Sequence, residues 1–87
     1  MNAVVVDDHL LRDILTNQSS PELVAALGDA QIYTTNLWYL RLCRSVVASA
    51  GGQLTGALDT HQRRALGREL LSMPSHVAIV PVADLAV

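Results

Sequence analysis

Residues 3–15 read AVVVDDHLLRDIL, an apolar β-branched run that passes through two adjacent aspartates straight into a helical repeat. Val4 to Val6 do not alternate with polar residues, which is the pattern of a strand covered on both faces in a parallel sheet. Leu10, Leu11, Ile14 and Leu15 then lay an apolar stripe along a helix that starts at Asp8 or His9 and runs to about Thr16.

The rest of the chain repeats this alternation. Ser20, Pro21 and Glu22 form a helix start, with the hydroxyl as cap and proline in the first turn, and Gly28 supplies the stop. A short strand is expected over Gln31–Thr34. Thr35 can cap the longest helix, in which Leu37, Leu40, Cys43 and Val47 share one side while Arg41 and Arg44 share another, with Gly51 and Gly52 as its end. GGQLTG reads as a loop with turn glycines. Asp59 with Gln62 resembles a capping box for a helix reaching about Ser72, whose buried side is Leu66, Leu70 and Met73, and Pro74 breaks it. The last strand signal is VAIVP within residues 76–81, followed by one helical turn over Ala83–Val87.

Strand, two helices, strand, two helices, strand is the order of an α/β protein with a short parallel sheet of about three strands, its helices packed in two or three layers. Residues 1–87 make a single domain, and a chain of this size buries only about 60% of its unfolded surface. The sheet is small and the sequence stops as another helix starts, so the expectation is the amino-terminal part of a larger, incomplete domain.

Composition narrows the function. With 51% hydrophobic and 16% charged residues, the chain has more apolar material than one small core hides, so part of its surface is expected to meet a partner or a second copy. No apolar run reaches the length of a spanning helix, and no basic and hydrophobic leader starts the chain. One cysteine excludes an internal disulfide, and a cytoplasmic location fits. A net charge of -2 gives no overall attraction to nucleic acid.

In parallel sheets ligands bind at the carboxyl ends of the strands, where Asp7 and Asp8 fall. Two carboxylates there repel one another unless a cation or hydrogen-bond donors offset their charge, and hard oxygen ligands suit Mg²⁺ or Mn²⁺. The alternative is that one aspartate caps the first helix while the other points to solvent.

The stretch VVVDDHLLRDIL is similar to the start of response-regulator receiver domains, which need a further aspartate after the third strand and a lysine. Residues 50–57 read AGGQLTGA and the chain has no lysine. IYTTNLWYLRLCRSVV, residues 32–47, taken with the first strand, resembles the front half of a PIN domain, and WYLRLCRSV looks like actinobacterial PIN-like proteins. That resemblance implies a parallel sheet that gathers acids around Mg²⁺ or Mn²⁺ for cleavage of RNA, in the manner of toxin–antitoxin ribonucleases. It places the first catalytic and metal-binding acid on Asp7, with Asp8 beside it. The family's second acid falls on Arg41, so a guanidinium replaces a metal ligand. The expectation is therefore a PIN-like domain impaired or inactive as a nuclease in this form.

Arg41 and Arg44 can also grip a phosphate, or simply form an exposed helix face. His61, Arg63, Arg64 and Arg68 make a second basic group, with only three aromatic residues in the chain to stack on bases. Trp38 and Tyr39 read as core packing, Cys43 as a small buried hydrophobe, and His9 as a polar helix-start residue. The competing functional reading is a protein-interaction module: a homodimer, or a domain that docks an antitoxin-like partner.

Overall fold

The computed structural model describes residues 3–48 and 52–85. The elements are β1 (Ala3–Val5), α1 (Asp8–Leu15), α2 (Pro21–Leu27), β2 (Gln31–Thr35), α3 (Asn36–Val47), α4 (Gly52–Thr55), α5 (Thr60–Ser72) and β3 (Val77–Val80), followed by a 3₁₀ turn at Val82–Leu85. The three strands form one parallel sheet in the order β1-β2-β3. The α/β architecture expected from the alternating patterns is therefore the observed one.

Register explains which residues are inside. Val4, Ile32 and Val77 lie side by side across the sheet and face the helices. Helices α1, α3 and α5 touch one another and form one layer on that face. Val6, Leu11, Leu15, Leu42, Leu66 and Leu70 complete the core between the layers. The neighbouring row, Val5, Tyr33 and Ala78, points the other way, and Val5 remains 48% exposed. Of the two layerings open at the sequence level, the described residues adopt a single helical layer on the sheet.

The caps sit where the side-chain chemistry puts them. Ser20 Oγ accepts from Leu23 N–H at 3.1 Å and Thr35 Oγ1 from Trp38 N–H at 3.2 Å. Asp59 and Gln62 exchange both bonds of a capping box, at 2.7 and 2.9 Å. Each bond satisfies a donor that the first helical turn otherwise leaves without a partner.

Four expectations need correction. In α3, Leu37, Leu40 and Val47 are exposed; the inward face is Leu42 with the half-buried Tyr39, Cys43 and Val46. That alternative stripe has no charge, whereas the outer one contains Arg44. GGQLTG is not wholly a loop, because Gly52–Thr55 forms one helical turn. Thr55, fully buried, donates to the Ser45 carbonyl at 3.0 Å, and Arg12 Nη1 donates to the Leu54 carbonyl at 2.9 Å, anchoring that turn to α3 and α1. Of the one-turn helix expected at Ala83–Val87, Ala86 and Val87 lie outside the described residues, and Val82–Leu85 form a 3₁₀ turn whose Val82 N–H donates to Asn36 Oδ1 at 3.1 Å. Cys43 is half-buried, not buried. Gly51, the first of the two glycines expected to end α3, lies outside the described residues.

Candidate functional site at the end of the first strand

The exit of β1 is fixed by two hydrogen bonds to β2. Val6 N–H donates to the Tyr33 carbonyl at 2.8 Å, and the buried Thr34 hydroxyl donates to the Val6 carbonyl at 3.0 Å. These bonds hold Asp7 and Asp8 at the carboxyl edge of the sheet, with no freedom to drift along it.

The two aspartates then part company. Asp7 has extended backbone and caps α1, its Oδ1 accepting from Leu10 N–H at 2.9 Å. Asp8 is the first residue of the helix and is buried, with 4% of its surface exposed. Its Oδ1 accepts from His9 N–H at 3.0 Å, and the His9 imidazole stands 4.0 Å from the same oxygen. Arg41 Nε lies 3.2 Å from Asp8 Oδ2, while the N–H is not aimed at the oxygen and Oδ2 accepts no hydrogen bond. Most of the Arg41 side chain, 60%, stays in contact with solvent.

The pair joins the start of α1 to the middle of α3. The guanidinium stands beside Asp8, not Asp7. The reason is steric order along the chain. A residue with extended φ and ψ at the cap points its carboxylate back over the helix N–H groups. The next residue, already helical, projects sideways toward the neighbouring helix. Arg44, the other expected phosphate contact, is exposed and has no ion-pair partner among the described residues.

The donor set does not fit a divalent cation as it stands. One carboxylate is engaged by a helix N–H and the other faces a guanidinium, whose positive charge sits where a cation would have to approach. Among the described residues no group of three or more His, Cys, Asp and Glu side chains converges. What the arrangement does is set a protein cation beside a buried carboxylate.

Two arginines outside this site have structural work that spacing did not reveal. Arg63 Nη2 donates to the carbonyls of Ser45, Val46 and Ala48, at 3.3 and 3.2 Å for the first two, closing the carboxyl end of α3. Arg12 is bound to Leu54 and to Asp13, the latter at 2.9 Å. Arg64, Arg68 and His61 are exposed, as a solvated helix face requires. A run of basic residues gives no hint of which one will turn inward to carbonyls.

No protein-family model, curated protein or solved structure matches this chain. Among the described residues no helix is long and apolar enough to cross a membrane.

Proposed function

We propose that this chain is a PIN-like domain, related to the Mg²⁺- or Mn²⁺-dependent endoribonucleases of toxin–antitoxin systems, whose strand-end site is shut in this form. The supporting observation is the Arg41–Asp8 contact of 3.2 Å. A metal-dependent nuclease needs a cation held by clustered carboxylates to activate water and to offset charge on the phosphate. Here the guanidinium offers the charge but no open coordination position, and it leaves Asp8 unable to act as a ligand without first losing its partner.

The test is incubation of the purified protein with labelled RNA and Mn²⁺. The expected result is no cleavage. Cleavage by the wild type that Asp7→Asn or Asp8→Asn abolishes would overturn the proposal and restore a working nuclease.

A second reading is favoured by a separate observation. Parallel sheets are ordinarily covered on both faces, yet the row Val5, Tyr33 and Ala78 has no helical layer over it among the described residues. On this reading the domain works in the cytosol as an interaction module, with a second copy or an antitoxin-like protein covering the bare face.

A further inference from the structure

Charge in this chain is unevenly placed. Helices α3 and α5 hold Arg41, Arg44, Arg63, Arg64 and Arg68, all but one of the 6 basic residues, and a single acid, Glu69. Glu69 borders a different cleft, beside α2. The net charge of -2 therefore conceals two basic helices on an acidic remainder. Arg41 stands beside Asp8, and Arg63 is turned to the carbonyls at the end of α3. Arg44, Arg64 and Arg68 are exposed, and none of the three has an ion-pair partner among the described residues.

Helix α3 also carries apolar side chains that the core leaves outside. Leu37, Leu40, Arg44 and Val47 follow one another at steps of three or four residues, so they share one side of the helix. Leu37 and Leu40 are exposed, and Val47 keeps 83% of its surface in solvent. Single exposed apolar residues need no explanation, but a row of them along one helix marks a contact surface. The row ends at a cleft of about 340 Å³ between α3 and α5. Val46, Val47, Ala48 and Gly67 line it with apolar surface, Arg64 borders it, and no acidic residue lines it among the described residues. Asp59, next to the cleft in sequence, gives its carboxylate to the α5 cap.

We infer that the outer side of α3 and this cleft dock an acidic amphipathic helix of a partner protein. Its leucine-type side chains cover Leu37, Leu40 and Val47 and fill the cleft, and its carboxylates meet Arg44 and Arg64. Helix-in-groove recognition uses anchors three and four residues apart, the spacing of the exposed row itself. Other occupants fit this chemistry less well. RNA would pair its phosphates with the arginines but gain nothing from three aliphatic side chains, and the row holds no aromatic residue for a base to stack on. A flat anionic membrane leaves a concave cleft unfilled. A second copy meeting this face with its own sets arginine against arginine. The surface lies apart from both the strand-end site and the bare face of the sheet, and docking there requires neither reading.

The experiment is titration of the ¹⁵N-labelled protein with two short synthetic helices, one of leucine and glutamate repeats and one in which lysine takes the place of glutamate. The glutamate helix is expected to give saturable amide shifts at Leu40, Arg44, Val47 and Gly67. It should bind about tenfold more tightly than the lysine helix, the effect of two exposed ion pairs. Arg44→Glu combined with Arg64→Glu, both at exposed positions, should reverse that preference. Val47→Asp should weaken binding of the glutamate helix, with the dispersion of the same spectra reporting that the fold is kept. Phosphatidylglycerol vesicles and oligouridylate, titrated in the same way, are expected to leave those amides unshifted. Absence of saturable shifts with the glutamate helix, equal binding of the two helices, a preference unchanged by the double variant, or binding unaffected by Val47→Asp would each overturn the inference. So would the same shifts produced by vesicles, by oligouridylate or by raising the protein concentration alone.

Discussion

Asp8 is buried, and Arg41 is the cation 3.2 Å from its Oδ2. Removing one member of such a pair costs more than the pair itself contributes, because the other charge is left buried and uncompensated. Arg41 keeps water on most of its length, which tempers the effect. Arg41→Ala is therefore expected to lower stability by about 1 kcal/mol in urea unfolding, because Asp8 stays buried without its ion-pair partner, whereas Asp8→Asn together with Arg41→Ala should recover much of that loss. Tyr39 supplies a second test at this scale. Burial first, then the adjacent Cys43 thiol, raise its phenol above the ordinary range. Above about pH 10, the usual tyrosine value, the unfolded chain releases a proton that the native state retains. Stability must then fall as pH rises, being fully present below that value and lost as pH climbs through the folded one. Tyr39→Phe should flatten the alkaline loss seen in unfolding curves. At neutral pH it should cost about 1 kcal/mol by deleting the 2.9 Å bond from the phenol to the Leu70 carbonyl. The acidic pair at the strand end was legible in VVVDDHLL; which aspartate would cap and which would turn inward depends on one residue's backbone angles and was not.

Helices α1, α2, α3 and α5 are written plainly in the sequence, because each has a side-chain cap and a stop or a break close to the observed end. The inward face of α3 was harder to read. It offers two apolar stripes a few positions apart, and the choice between them is made by Leu11, Leu66 and the rest of the core, not by α3 itself. Arg44 within the outer stripe was the local clue. The turn at Gly52–Thr55 was hidden for a similar reason: it is held by Ser45 of α3 and by Arg12, which is far away in sequence. Where α3 and α5 meet, a Cβ added at Gly67 would lie 3.6 Å from Val46 Cγ1, an ordinary contact. Glycine inside a helix costs roughly 0.5–1 kcal/mol relative to alanine. Gly67→Ala is accordingly expected to raise the unfolding free energy by that amount, and a loss instead would mean that the two helices cannot accept the methyl group.

The described residues form one helical layer on one parallel sheet, with the acidic pair at the carboxyl ends of its strands. The excess of apolar residues in the composition is shared between the helices, where Val24, Leu37, Val47 and Leu71 are exposed, and the sheet row of Val5, Tyr33 and Ala78, where Val5 is exposed. If a second copy covers that face, light scattering on the eluting protein should give a mass above the 9.3 kDa of one chain, and Val5→Lys should return it to a monomer. A wild-type monomer at micromolar concentration would remove the self-association version. The central claim is that Arg41 stands in place of a metal ion. The most direct measurement is the broadening of amide signals on adding Mn²⁺ to ¹⁵N-labelled wild-type protein. The account predicts no selective loss at Asp7, Asp8, His9 and Leu10 with one equivalent of Mn²⁺; selective loss of those four signals would contradict it.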